Sequence, residues 1–209
     1  VRERAERQTA DLLLAIDRNP RVHALAINPL MLTVIALVHR YRATLPQHRV
    51  ELYEECTELL LGHWDMGKEG EEAKWLAEYA GVEMPLDASE KRALLEPVAR
   101  WYHEARATEA EQPQVEKILT LRLAQAGATK ISLHQARTQA RGFLGFLDER
   151  SGLFREAEAG RFTFTHLTFQ EYLAARSIAS EDDYVAQVLT HLGDSWWREA
   201  ILLTAAHLS

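Results

Sequence analysis

The strongest constraint on the fold is that the hydrophobic pattern departs from a helical period at one place. Over most of the 209 residues, apolar side chains recur every three or four positions, which predicts amphipathic helices. Residues 153–158 and 161–165 are instead two short runs of strand character, joined by Ala159-Gly160, and they predict a β-hairpin. The helical pattern precedes this hairpin and resumes near His166. Three helices, a hairpin and a closing helix predict a winged helix-turn-helix.

Helix start signals and one helix breaker divide the rest of the chain. Asparagine–proline pairs at 19–20 and 28–29 each place an N-cap residue before a proline at the first helical position. Pro97 lies inside a helix predicted at about 88–106 and should bend or divide it. Residues 66–70 are polar and contain glycine, which indicates a break between domains.

These signals predict a mainly α chain with three parts. Residues 1–68 form a small helical domain that ends in a long connecting helix. Residues 69–180 form the winged helix-turn-helix, with one β-hairpin as its wing and an additional helical insertion. Residues 181–209 begin a further helical domain. Both ends run in helical sequence without a cap or polar tail, so we expect them to be cuts through a longer polypeptide.

Composition excludes several functional classes. The formal net charge of -7 disfavours a nonspecific grip on nucleic acid or on an acidic membrane. No apolar run reaches the ~18 residues that a membrane helix needs. Cys56 is the only cysteine, so an internal disulfide is impossible, and a reducing, cytoplasmic setting fits. The histidines follow no metal-ligand spacing and no nucleophile motif is present, so we predict no metal site and no catalytic residue.

Two stretches of the chain resemble the C-terminal half of bacterial NACHT proteins, which belong to the STAND class of signalling ATPases. The first contains N-P-L-M-L-T at 28–33, then L-P at 45–46 and E-L-Y-E-E at 51–55. The second is R-S-G-L at 150–153, followed by the predicted hairpin and by F-T-F-T-H-L-T-F-Q-E-Y-L-A-A at 162–175. The second is the more specific of the two, and together they cover nearly the whole chain.

The resemblance implies a regulatory fragment rather than an enzyme. In such proteins the phosphate-binding loop and the magnesium-binding acidic residues lie upstream, and this chain has no G-x-x-x-x-G-K-[ST]. The resemblance implies that Pro29 and Leu30 lie beside the adenine of a bound nucleotide and that His166 contacts the phosphates of ADP. ATP or ADP would therefore be bound only together with the upstream domain, and the isolated fragment would bind no cofactor.

The resemblance also implies partners and a biological setting. The partners would be the upstream nucleotide-binding domain of the same chain, a downstream helical or repeat sensor domain, and other copies of the protein in an oligomer formed on activation. Exchange of ADP for ATP would release the winged helix from a closed state and so control signalling. The setting implied is bacterial innate immunity against phage, or signalling.

The chemistry of these assignments is reasonable. Pro29 fixes its own φ angle and starts a helix whose first amide hydrogens point outward, and a flat apolar surface there suits an adenine ring. His166 falls where strand becomes helix, so an anion beside it gains both from the helix dipole and from a donor imidazole. An alternative for His166 is a core histidine that hydrogen-bonds to the backbone.

Two other functions stay open. The helix that Ser132 caps is predicted to have Leu133 on its inward face and a basic stripe along its surface. Such a stripe would favour a winged-helix DNA-binding transcription regulator. The stripe consists of Lys130, His134, Arg137 and Arg141. The acidic net charge opposes that interpretation. A third possibility is a helical interaction scaffold in which Trp196 and Trp197 anchor a partner; alternatively, these two pack on helices outside this chain.

Overall fold

A computed structural model describes residues 2–27, 29–42, 45–46, 48–62, 86–126 and 131–208 of the chain. The helices in this part are α1 (Arg2–Asp17), α2 (Pro20–Ala26), α3 (Pro29–Arg42), α4 (Arg49–Gly62), α5 (Ala88–Glu104), α6 (Gln112–Ala126), α7 (Leu133–Phe146), α8 (Leu167–Ala179), α9 (Tyr184–Thr190) and α10 (Arg198–His207). The strands are β1 (Ala110–Glu111), β2 (Phe154–Glu158) and β3 (Arg161–Phe164). This order confirms the predicted mainly α fold with a β-hairpin wing.

The chain forms two compact units, Val1–Leu59 and Leu60–Ser209, and the division between them falls inside α4. The boundary predicted near residues 66–70 lies outside the described residues. Residues 181–208 belong to the second unit, where α10 packs against α8. The predicted division into three domains stays a prediction.

In the first unit, α1, α2 and α3 pack against one another. The side chain of Asn19 accepts a hydrogen bond of 3.2 Å from the amide of Val22, so the predicted N-cap in front of α2 is confirmed. Ile35 and Val38 of α3 are fully buried, as an apolar helix requires. Cys56 of α4 is also buried, and burial raises the pKa of its thiol to about 12. A thiol in that state is a poor nucleophile, as its place on the inward stripe had indicated.

Helix α5 begins at a capping box. The carboxylate of Asp87 accepts a 2.8 Å hydrogen bond from the amide of Glu90, and the carboxylate of Glu90 accepts one of 2.9 Å from the amide of Asp87. The helix then continues through Pro97 to Glu104, so the prediction that Pro97 would divide it is wrong. Proline removes only one donor, and residues on both sides of Pro97 are buried in the helix that packs against α8.

The end of α4 is attached closely to α5. A Cβ atom placed on Gly62 would lie 3.0 Å from the Cβ of Ala88, so the backbones approach as closely as two small residues allow. The buried ammonium of Lys91 donates a 2.8 Å hydrogen bond to the carbonyl of Leu61 and lies 4.6 Å from the ring centre of Phe146 in α7. A cation at the carboxyl end of a helix complements its dipole, and the ring face adds a cation–π contact.

Helix α7 begins as predicted, with a capping box between Ser132 and Gln135. Its buried face contains Ala136, Ala140 and Phe143. Leu133, which was predicted to face inward, is 64% exposed, so that prediction is wrong. Leu133 is the first residue of the helix, and the buried stripe begins three residues later, at Ala136.

The wing is a three-stranded antiparallel sheet in the order β1-β3-β2. The sequence had predicted the two longer strands, whereas β1 has two residues and is too short to show a period. Phe154 pairs with Phe164 across β2 and β3. The hydroxyl of Tyr102 in α5 donates a 2.7 Å hydrogen bond to the carbonyl of Phe162, which attaches the sheet to the helical core.

The two adjacent tryptophans attach residues 191–208 to the end of α5. The indole Nε1 of Trp196 donates a 2.9 Å hydrogen bond to the carbonyl of His103, and the two rings stack with centroids 5.0 Å apart. Trp197 is 4% exposed, meets His103 edge-on and stacks on His191. The prediction that these tryptophans anchor a partner, or pack on helices outside this chain, is therefore wrong for Trp197, which is buried within the second unit. For Trp196, which is half-buried, it stays a prediction.

His103 lies at the centre of this contact without a hydrogen bond to either ring nitrogen among the described residues. Burial is the main cause that lowers its pKa, and the neighbouring His191 adds to the effect; the result is a pKa of about 4 against an ordinary value of 6.5. Asp194 opposes this shift and Arg106 adds to it. The folded protein therefore holds His103 neutral over a range in which the unfolded chain would protonate it.

We expect this histidine to make the protein less stable in mild acid. Between pH 6.5 and 4 the unfolded chain binds the extra proton, so the contribution is complete above pH 6.5 and is lost as pH falls towards 4. Urea unfolding measures the free energy of unfolding at pH 7 and at pH 4.5, and this free energy should fall between the two pH values. The fall should be smaller by about 2 kcal/mol in His103→Leu than in the parent chain.

The control is His134→Leu, which removes an exposed histidine from the same unit. The free energy of unfolding of His134→Leu should fall between pH 7 and 4.5 by as much as that of the parent chain. An equally steep fall in His103→Leu would show that protonation of His103 does not oppose folding.

Candidate functional site

His166 lies at the junction between the wing and α8. Strand β3 ends at Phe164, and His166 is the N-cap residue of α8, with an extended backbone at φ -143° and ψ 136°. Its side chain is exposed to solvent, so the alternative of a histidine enclosed in the core is not what the structure contains. The ring is 6.5 Å from that of Phe169, which is buried beneath it in the first turn of the helix.

The amino end of α8 has the features of an anion site. Within the described part of the chain no side chain caps this helix, and the amide of Phe169 donates a 3.1 Å hydrogen bond to the carbonyl of His166. The first amide hydrogens of a helix have no partner within it, and the helix dipole favours negative charge there. Leu167 is 44% exposed, so solvent reaches this end of the helix.

Two buried polar atoms near this end lack partners. The hydroxyl of Thr165, directly before His166, and the side-chain Nε2 of Gln170, one turn after it, have no hydrogen-bond partner among the described residues. Buried donors are usually satisfied in folded proteins, and exceptions call for an explanation such as a missing ligand or water. The residues around His166 are therefore compatible with a polar group that the described residues do not supply.

The turn before the hairpin controls how the chain enters this region. Helix α7 continues into a single π-helical turn, Leu147–Ser151, and Gly152 then has φ +64°. The buried hydroxyl of Ser151 donates a 2.7 Å hydrogen bond to the carbonyl of Leu147 and accepts one of 3.1 Å from the amide of Leu153. The carbonyl of Leu153 then accepts a 2.9 Å bond from the amide of Thr165.

Pro29 is the first residue of α3 and is exposed. Its carbonyl accepts a 3.0 Å hydrogen bond from the hydroxyl of Thr33. Ile27 is 79% exposed and Leu32 is 42% exposed, so apolar side chains face solvent on both sides of Pro29 in the sequence. Asn28 and the side chain of Leu30 lie outside the described residues. Pro29 belongs to the first unit and His166 to the second, and each position is described separately.

A cavity of about 650 Å³ in the first unit was not anticipated from the sequence. It lies between α1 and α3, and Arg18, His39 and Arg40 contribute to its lining. Helix α3 rises ~1.5 Å per residue, so the part of α3 that lines the cavity begins about 10 Å beyond Pro29 along the helix. The residues that line it come from two helices, and no local pattern reports such a juxtaposition.

Two arginines of the basic stripe on α7 share one carboxylate. Glu116 of α6 accepts a 3.0 Å bond from Arg141 and lies 3.5 Å from Arg137, although its own side chain is only 5% exposed. Burial raises the pKa of Glu116, but its hydrogen bonds from Arg141 and Gln112 outweigh that effect and hold the pKa below its usual value. Lys130 lies outside the described residues. Both described arginines of the stripe are thus paired with a buried carboxylate.

Neither a metal centre nor a membrane helix emerges from the described part of the chain. It contains no group of three or more histidine, cysteine, aspartate or glutamate side chains that could hold a metal ion. None of its helices is both long enough and apolar enough to cross a bilayer.

Comparison with known proteins identifies one family. The family described as "winged helix-turn-helix domain C-terminal to NACHT" matches residues 49–178, which is more than half of the chain. No curated protein and no solved structure matches the chain. The matched range includes α4, α5, α6, α7, the wing and nearly all of α8.

We expect the exposure of His166 to be measurable by chemical modification. Diethyl pyrocarbonate acylates neutral, accessible imidazoles, so His166 should react more than tenfold faster than buried His103, and at a rate close to that of exposed His134. Peptide mapping by mass spectrometry after short exposures measures the three rates in one sample. Protection of His166 while His134 is modified would contradict the accessible site.

Proposed function

Because the chain belongs to the family of winged helix-turn-helix domains C-terminal to NACHT, we propose that it is the regulatory segment of a NACHT signalling protein. In this proposal it follows the nucleotide-binding domain in the same polypeptide and closes over the ADP or ATP held there. It contributes no phosphate-binding loop of its own, so it is not an enzyme by itself. Hydrolysis of ATP, if the whole protein performs it, belongs to the upstream domain.

The observation that carries this proposal is the exposed, uncapped position of His166. A nucleotide bound upstream would supply an anionic phosphate. Around it the imidazole of His166 would donate a hydrogen bond, and the first amide hydrogens of α8 would add their dipole. Hydrogen bonds to charged groups contribute about 1.5–3 kcal/mol, so this contact alone would change nucleotide affinity by roughly 10- to 100-fold.

The proposed role of the first unit is to cover the base. Pro29 and the exposed Ile27 offer an apolar surface at the amino end of α3, and an adenine ring would lie against it together with Leu30. The exposure of Pro29 and Ile27 supports the assignment, because a site for a base has to be accessible when the nucleotide is absent. Pro29 and His166 lie in different units, so each would contact the nucleotide independently.

A phosphate contact of this kind would make the position of the second unit depend on the nucleotide. With ADP bound, His166 would hold the protein in a closed state, and exchange for ATP would release it. A ligand can shift such an equilibrium only by its difference in affinity for the two states, and the His166 contact provides that difference. Release would permit oligomerisation and signalling, with a downstream sensor domain as the further partner. The single cysteine supports a reducing, cytoplasmic setting, whereas a role in bacterial defence is supported only by the resemblance.

We expect His166→Ala, made in the protein that includes the upstream domain, to release ADP about tenfold faster and to raise basal signalling. The amount of ADP that copurifies and its dissociation rate measure the effect. His134→Ala is the matched control, since it removes an exposed histidine from α7 and leaves α8 intact. Unchanged ADP release and unchanged signalling in His166→Ala would contradict the proposal.

The alternative function, a DNA-binding transcription regulator, can be tested by measuring binding to duplex DNA. Because Glu116 pairs with Arg137 and Arg141, we expect the chain to show no salt-dependent binding to duplex DNA between 50 and ~200 mM salt. Fluorescence anisotropy with a labelled duplex measures this. An affinity that falls steeply as salt rises would favour the DNA-binding function instead.

A further inference from the structure

The turn between α7 and the wing is connected to His166 through Leu153, whose carbonyl accepts a hydrogen bond from the amide of Thr165, the residue before His166. We propose that Ser151 and Gly152 are positioning residues for His166, and that the turn they form determines where the imidazole lies. The inference rests on the proposed function, in which His166 contacts the phosphates of a nucleotide.

The first step is the backbone of Gly152. Its φ of +64° lies in the left-handed region, where a side chain is opposed by the residue's own backbone. A Cβ atom at this position would have no atom within 4 Å, so no neighbour requires a glycine here. As far as the described residues show, glycine is therefore selected here by the direction in which the chain leaves the π-helical turn and enters β2.

The second step is the hydroxyl of Ser151, which is fully buried. By donating to Leu147 and accepting from Leu153, it connects the carbonyl before the turn to the amide after it. The carboxylate of Asp148 adds a second connection, because its Oδ1 accepts a 2.8 Å hydrogen bond from the amide of Glu156 in β2. The turn and the first half of β2 consequently move together.

The third step crosses to the other strand. Phe154 pairs with Phe164, and the next bond outward in the same ladder runs from the amide of Thr165 to the carbonyl of Leu153, at 2.9 Å. Thr165 is bonded covalently to His166. A change in the chain direction at Gly152 is therefore transmitted to His166 through Leu153, through its hydrogen bond with Thr165 and through the peptide bond between Thr165 and His166.

The chain offers a matched control in Gly160, at the tip of the wing. Gly160 also has a positive φ, of +75°, and a Cβ atom there would likewise meet nothing within 4 Å. Alanine at either glycine introduces a similar backbone penalty, but only Gly152 is linked to Thr165 through Leu153. If backbone strain acted on His166 only by loosening the wing as a whole, the two variants would have the same effect on it.

The first experiment uses the full chain and measures hydrogen exchange of the Thr165 amide together with the NMR shifts of the His166 imidazole. Gly152→Ala should speed Thr165 exchange about tenfold relative to Gly160→Ala and move the imidazole signals. In Gly152→Asn the exchange rate and the imidazole signals should both stay close to those of the parent chain, because asparagine tolerates the left-handed region. Ser151→Ala, which introduces no backbone strain, should move the same signals. Equal values in Gly152→Ala and Gly160→Ala, or unmoved His166 signals in Ser151→Ala, would overturn the inference.

The second experiment separates this inference from the proposed function by measuring ADP release in the protein that includes the upstream domain. Gly152→Ala should release ADP several-fold faster than Gly160→Ala, approaching His166→Ala. If His166→Ala releases ADP at the normal rate while Gly152→Ala still moves the imidazole signals, the positioning role holds and the proposed function fails. If His166→Ala accelerates release but Gly152→Ala changes neither release nor the imidazole, the inference is overturned and the proposed function stands.

Discussion

The packing of α5 against α8 is the contact on which the second unit depends. These helices lie more than sixty residues apart in the sequence, and α6, α7 and the wing are contained in the chain between them. Arg176 of α8 donates a 3.0 Å bond to Glu96 of α5, and the Tyr102 hydroxyl attaches β3 to the same helix. Because α8 begins directly after β3, its amino end and His166 must lie where the wing meets this helix pair.

Local signals in the sequence predicted most local features of this structure, although Leu133 does not face inward and Pro97 does not divide its helix. The N-caps at Asn19 and Ser132, the hairpin and the start of a helix near His166 depend on neighbouring residues, and all of them are present. Features that depend on distant residues were missed. Trp196 finds its acceptor at His103, more than ninety residues away, and β1 exists only because β3 pairs with it. Pattern alone contains no information about such partners.

The candidate site shows the same division. The sequence identified His166 as a residue where strand becomes helix, and the structure adds that it is exposed and that no side chain caps α8. The basic stripe on α7 illustrates the converse case. Its spacing is as regular as that of a DNA-reading helix, but Glu116, on a different helix, pairs with Arg137 and Arg141. Charge pattern on one helix is thus a weaker guide to function than charge pattern after its neighbours are known.

The close approach of Gly62 to Ala88 has a consequence for which side chains these two positions can accept. The two residues are nearly in contact, and the buried ammonium of Lys91 holds the carbonyl of Leu61 beside them. A larger side chain at either position would push the end of α4 away from α5, because a close-packed contact has no room for additional methylene groups. It would also draw the Leu61 carbonyl away from a buried cation that needs it. The size of two small residues therefore limits how the last turn of α4 can be attached to the helix that carries the wing and α8.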